Sequence, residues 1–183
     1  VEPLAEIAGA RVRAVLARLA DVRALQEVMD AARDYFELTE GAPAGPGAAA
    51  ALIAETEADS ERRVFLLWTV PSSARPERRP RAAGPESKGE TEPIGFLDLH
   101  LHQPEPGVAH AGVLALRPEA RGRGLGAELV EALCAALRAE GFGALRASVG
   151  DENPTARAFW ERVGLGEVGR LDGGVCVMER VIG

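Results

Sequence analysis

The stretch from residue 109 to 140 constrains the fold more than any other. An apolar, strand-like segment (AHAGVLAL) leads through Arg117-Pro118-Glu119-Ala120 into Arg121-Gly122-Arg123-Gly124-Leu125-Gly126, and then into an amphipathic helix. Glycines here let backbone N–H groups turn inward and come close to a ligand, and a helix start carries about half a positive charge. Arg121 and Arg123 add charged donors suited to phosphate oxygens. The arrangement calls for an anion. A P-loop would need a lysine followed by Ser or Thr at the helix start, where Ala127-Glu128 stand instead. Gly122, Gly124 and Ala127 do satisfy the GxGxxA of a dinucleotide fingerprint. Against that reading, the motif lies two-thirds of the way along the chain, its glycines do not directly follow the strand, and too little chain follows for a doubly wound sheet. Taken alone, the stretch also fits a glycine turn that only eases a tight strand-to-helix crossover.

The remaining pattern alternates strands and helices. Leu125, Leu129, Val130, Leu133, Cys134 and Leu137 mark one face of a helix over 124–140, stopped by Gly141. Upstream, Val12 and Ala14 share a face of a short opening strand over 11–16. Asp21 then starts a helix whose face is Val22, Leu25, Val28, Met29 and Ala32. A second helix is expected over 48–57. VFLLWTV at 64–70 reads as a buried strand. Leu97, Leu99 and Leu101 alternate with Phe96, Asp98 and His100 along the next strand, 94–101. The segment 109–116 reads as a strand buried on both faces. A strand over 144–149 follows, then a helix over 153–163 with Pro154 in its first turn, and a terminal hairpin over 167–181 around Asp172-Gly173-Gly174. The predicted architecture is one α/β domain over 1–183, a mixed sheet of about seven strands flanked by about four helices.

Composition excludes several classes. With 46% hydrophobic and 27% charged residues in 183, the chain has the make-up of one globular domain that needs no staple. Cys134 and Cys176 show no CxxC spacing, and three histidines are too few and too scattered for a closed zinc site, so no metal and a reducing, cytoplasmic setting are expected. Export and membrane insertion are not expected: no apolar run approaches about 20 residues and the first residues show no signal pattern. Val1 in place of Met is read as a trimmed or processed start. A net charge of −7 argues against nucleic acid, whose binding rests on Lys and Arg, and favours cationic partners. Residues 71–93 contain no large apolar side chain and are expected to form a flexible insertion between two strands. Deleting residues 74–90 should accordingly leave the melting temperature nearly unchanged; a large drop would show that the segment is packed.

Two blocks together resemble a known family. Leu116 to Gly126 looks like the acetyl-CoA motif Arg/Gln-x-x-Gly-x-Gly/Ala of the GCN5-related N-acetyltransferases (GNAT), and Asn153-Pro154-Thr155-Ala156-Arg157-Ala158-Phe159-Trp160-Glu161-Arg162-Val163-Gly164-Leu165 resembles the family's second block, Asn-x-x-A-x-x-F-Y-E-x-x-G-F. They sit about 30 residues apart with one helix and one strand between, as in the family, and the family-like core covers roughly residues 94–170. The resemblance implies acetyl-CoA as acyl donor and a primary amine of a small molecule or peptide as acceptor, attacking directly in a ternary complex. It places the cofactor's pyrophosphate on backbone N–H groups of Arg121, Gly122, Arg123, Gly124, Leu125, Gly126 and Ala127. It pairs the pantetheine arm with Leu114, Ala115 and Leu116, with a backbone N–H near Leu114 as oxyanion donor. Asn153 would hydrogen-bond the arm, and Ala156, Phe159 and Trp160 complete the cofactor side. Homodimerisation is compatible with the family habit.

The chain departs from the pattern at two places. Trp160 occupies the position of a tyrosine that often protonates the departing thiolate, and an indole N–H has no accessible acidic proton; Tyr35, the chain's only tyrosine, is the substitute considered. Gly112 stands where many relatives carry a glutamate base. His110, His100 and Asp98 are the nearby candidates, with His102 weaker. Tyr35, Glu37 and Glu40 lie in the segment that resembles the family's acceptor side, where they could hold a cation. A non-catalytic coenzyme A-binding sensor of the same fold is the alternative these departures leave open.

Overall fold

The computed structural model describes residues 4–70 and 92–183. Residues 71–91, most of the expected insertion, lie outside them. The described elements are β1 (Glu6–Ala8), β2 (Val12–Leu16), α1 (Val22–Ala31), α2 (Arg33–Glu40), α3 (Ala48–Ala58), β3 (Arg62–Thr69), β4 (Gly95–Leu101), β5 (Val108–Leu116), α4 (Leu125–Ala139), β6 (Ala144–Gly150), α5 (Pro154–Arg162), β7 (Gly166–Leu171) and β8 (Val175–Val181). One mixed sheet has the order β1-β2-β3-β4-β5-β6-β8-β7, antiparallel throughout except for the β5–β6 pair.

Strand alternation sorts the core into two layers. Phe65 and Leu67 of β3, with Leu97, Leu99 and Leu101 of β4, face Leu125, Leu129, Leu133 and Leu137 of α4. Val64, Leu66 and Phe96 point the other way, onto Leu25, Val28 and Met29 of α1 and Ile53 of α3. The apolar stripe read along 124–140 is the buried face of α4.

The two element counts each come out one higher than the approximate expectation, and one expectation needs correction. The sheet has eight strands because three-residue β1, which buries only Ile7, adds to β2; so short a strand leaves no period to read. Five helices form rather than four, because the first breaks at Ala32 (φ −90°, ψ 29°) and α2 sets off in a new direction, burying no residue. Residues 109–116 are not buried on both faces. β5 pairs with β6 only from Val108↔Ala144 to Ala111↔Ala147; beyond that the parallel strands part, and Gly112 is exposed while Leu114 and Leu116 are half-buried. That parting makes the site.

Candidate functional site

Where β5 and β6 separate, a cavity of about 620 Å³ opens. Of the fourteen residues that the resemblance assigns to the cofactor, all but Arg123 line it. At one end the loop after β5 turns with Gly122 at φ 70° and Gly124 at φ 77°, a left-handed conformation that side chains with a Cβ rarely adopt. Gly124 is the N-cap residue of α4 and no side chain caps that end, so the helix's first N–H groups are left for a ligand. Gly126 has a different reason to lack a side chain: a Cβ there would stand 3.3 Å from the Phe159 ring, which brings α5 close against α4. Past Ala111, the edge of β5 that faced β6 has no strand partner among the described residues. A glycine cradle and a free strand edge in one cavity fit a long ligand with phosphates at one end.

The rest of the family-like second block builds the opposite wall. Asn153 is the N-cap of α5, its Oδ1 accepting from Ala156 N–H at 3.0 Å; its amide NH₂ is therefore the group left to meet a ligand in the cavity. Trp160 is buried, and its ring meets Phe159 edge-on at 5.1 Å. It forms wall and offers no acidic proton.

Beside the parting of the strands, His110 Nε2 hydrogen-bonds Ser148 Oγ at 3.0 Å. Ser148 is exposed in the cavity; His110 lies behind it. Burial first, and then the neighbouring His100 and Arg146, push the His110 pKa below the usual 6.5 against the opposing pull of Asp98. The imidazole is thus neutral, and able to accept a proton, at pH 7. Gly112 also lines the cavity, and a Cβ on it would lie only 3.2 Å from His100 Nε2. A side chain there would press on the His100 ring edge.

Asp98 is placed for a different task. It is buried, and Arg62 grips it with two bonds, Nε–Oδ1 at 3.0 Å and Nη2–Oδ2 at 2.7 Å. His100 Nε2 stands 3.6 Å from the same carboxylate. Burial pushes this carboxyl up, but His100 and Arg62 together outweigh it and hold the pKa below the ordinary 3.8. A carboxylate held ionised in this way is a poor proton acceptor. Because its folded pKa is depressed, the stability it contributes is fully present above about pH 4 and is lost as the pH falls through the lowered value. Arg62→Ala leaves a buried charge unpaired and should cost about 3–5 kcal/mol in urea unfolding at pH 7; an unchanged midpoint would show that solvent reaches the carboxylate.

On the acceptor side, α2 brings Tyr35 to the cavity but not Glu37 or Glu40. Glu37 pairs with Arg33 one turn back, at 2.6 Å. Asp34 stands at the cavity in their place, with both carboxylate oxygens on the Arg121 guanidinium, whose Nε also donates to the Leu116 carbonyl at 2.9 Å. That pair holds Asp34 below the usual carboxylate range. Burial raises the Tyr35 pKa above 10, so its phenol keeps its proton at neutral pH. His102 is structural: its Nδ1 accepts from Gly107 N–H and its ring stacks on Phe142 at 4.7 Å. Both cysteines are buried, and burial pushes their thiols up. Among the described residues no cluster of three or more His, Cys, Asp or Glu could hold a metal ion, and no helix is long and apolar enough to cross a membrane.

A glycine loop between strand and helix thus opens into the gap of a split parallel pair. The Acetyltransferase (GNAT) family model matches residues 26–165, and the chain belongs to that family. A crystal structure of an acetyltransferase from Thermus thermophilus superposes with a TM-score of 0.76 at 26% identity, covering 93% of this chain and 97% of that one. A probable GNAT-family acetyltransferase from Chromobacterium violaceum gives 0.75 at 18% identity, over 98% and 87%. The PaiA N-acetyltransferase of Thermoplasma acidophilum, solved in complex with coenzyme A, gives 0.62 at 16%, over 93% and 98%. Membership implies acetyl-CoA-dependent acetyl transfer.

Proposed function

We propose that this protein is an N-acetyltransferase that moves an acetyl group from acetyl-CoA to a primary amine of a small molecule or peptide by direct attack in a ternary complex. One observation carries the reading: a single cavity joins the glycine cradle to the His110–Ser148 pair and the Tyr35 side chain. When bound, acetyl-CoA supplies the acetyl thioester. The N–H groups of residues 122–127 hold its phosphates, that of Arg121 being given to the Pro118 carbonyl at 3.2 Å, and the free edge of β5 at Leu114, Ala115 and Leu116 holds its arm as an added strand. A backbone N–H near Leu114 meets the carbonyl oxygen as negative charge develops there. Ser148 relays a proton from the attacking amine to His110, whose neutral ring accepts it. As the new C–N bond forms and the C–S bond breaks, Tyr35 gives its proton to the departing sulfur. The acidic balance of the chain, −7 overall, favours a cationic acceptor.

Isothermal titration with acetyl-CoA, followed on the same sample by thiol release against a panel of polyamines, amino acids and peptide N-termini, tests this. Binding with turnover on any amine supports the enzyme. Binding without turnover on any of them would instead favour a coenzyme A sensor, and no binding would remove both readings.

A further inference from the structure

Arg11 stands in the turn between β1 and β2, ahead of the residues that the family model matches, and belongs to neither motif block. Its backbone N–H and its Nε donate to the two oxygens of Glu128, in the first turn of α4, at 2.5 and 2.8 Å, while Nη1 donates to the Arg123 carbonyl at 3.2 Å. The guanidinium is thereby fixed against the start of α4. Nη2 carries none of these bonds, and it lies 3.4 Å from where a Cβ on Gly124 would stand. Gly9 has a part in this: a Cβ on it would meet Glu128 Oε1 at 2.8 Å, so the turn closes on the carboxylate only with glycine there.

We infer that Arg11 belongs to the phosphate-holding site, its Nη2 edge taking an oxygen of a cofactor phosphate beside Gly124. The inference rests on the acetyl-CoA reading above and extends it to a residue outside the family blocks. Three physical points support it. Glu128 alone would set a negative charge one turn from the place where an anion must sit, and Arg11 cancels it. The planar fork can hold a carboxylate on one edge and a phosphate on another. Because two side-chain bonds, with the backbone N–H on the same carboxylate, already fix Arg11, little rotamer freedom remains to be lost when an anion arrives. Arg121, in contrast, has its fork on Asp34, so Arg11 supplies a guanidinium edge that Arg121 does not.

The test is calorimetric titration of acetyl-CoA, and of acetyl-3′-dephospho-CoA, into the wild type, Arg11→Gln, Arg11→Lys and Glu128→Gln, each first checked for folding by thermal melt. Arg11→Gln should weaken acetyl-CoA binding about tenfold at low salt, and less at high salt because the side chain is largely exposed. Arg11→Lys should recover only part of that loss, because an ammonium keeps the charge but not the fork. Glu128→Gln breaks the same clasp while leaving the cation in place, and should bind at least as tightly as the wild type. A loss that persists with the dephospho analogue assigns Arg11 to the pyrophosphate, and one that vanishes assigns it to the 3′-phosphate; either supports the inference. Unchanged affinity in Arg11→Gln, or equal weakening in Arg11→Gln and Glu128→Gln, would overturn it by making Arg11 a mere brace between β2 and α4. If the wild type itself failed to bind acetyl-CoA, the cofactor reading would fall as well, and that result is separable from the others.

Discussion

Gly124→Val is expected to weaken acetyl-CoA binding by about a hundredfold or more while the protein still folds. At φ 77° and ψ 3° the native backbone is left-handed, a region that costs an ordinary L-residue roughly 1–2 kcal/mol and a β-branched one more. Relief of that strain would turn the loop away from its present course and misdirect the N–H groups at the head of α4. Loss of two charge-assisted hydrogen bonds, at about 1.5–3 kcal/mol each, is enough for the stated effect. A valine also places methyl groups on the side where Arg11 Nη2 already lies 3.4 Å from the Cβ position. Gly141→Val is the matched control. It sits just past α4 at φ 87° with open space around it, so it imposes similar strain at the far end of a helix about 22 Å long. The control should lower stability and leave the calorimetric Kd alone. Equal affinity in a folded Gly124→Val protein would end the claim that this loop receives the phosphates.

The backbone course of that loop is legible in the sequence because it is local: two left-handed glycines and an amphipathic helix within about twenty residues; its arginines are not, since the Arg121 guanidinium turns to Asp34 and Arg123 does not line the cavity. The same holds for the core faces of β4 and α4, whose periods of two and 3.6 predict their burial directly. What the sequence hid is relational. Ser148 is an ordinary serine in a strand until β6 parts from β5 and leaves its hydroxyl 3.0 Å from His110, thirty-eight residues earlier. Asp34 and Arg121 are eighty-seven residues apart, and Arg11 and Glu128 one hundred and seventeen. No periodicity connects such pairs. The family resemblance points to Glu37 and Glu40 on this segment, but it is Asp34 and Tyr35 of α2 that line the cavity. Asp98 does carry a signal in the sequence: a carboxylate inside an apolar strand needs a partner, and the arginines that open β3 are the nearest source. Gly112 illustrates the reverse. Its place on the strand before the glycine loop announces a missing glutamate, while only packing shows that a Cβ there would press on His100.

His110→Ala should lower kcat by about a hundredfold to ten-thousandfold on whichever amine the panel identifies, with acetyl-CoA affinity little changed. The side chain sits behind Ser148, away from the phosphate cradle, so removing it should cost proton acceptance rather than cofactor binding. The pH profile separates this role from a structural one. Burial, together with the neighbouring His100 and Arg146, depresses the His110 pKa below 6.5, while Asp98 opposes them; Arg146 is itself held by Glu179 and Glu105. The neutral ring is the working form, so wild-type activity should fall on the acid side through a value below 6.5 and stay level above it until the acceptor or Tyr35 titrates. In His110→Ala that acid limb should disappear, leaving a low rate that tracks only deprotonation of the acceptor amine. Ser148→Ala should retain the limb with a smaller rate loss, because a water can take the place of the hydroxyl. Were His110→Ala to keep both the rate and the acid limb, the proton would have to leave by His100, across the face of Gly112. A Gly112→Ala variant would then be the more damaging of the two, since its methyl would press on His100 Nε2 at 3.2 Å.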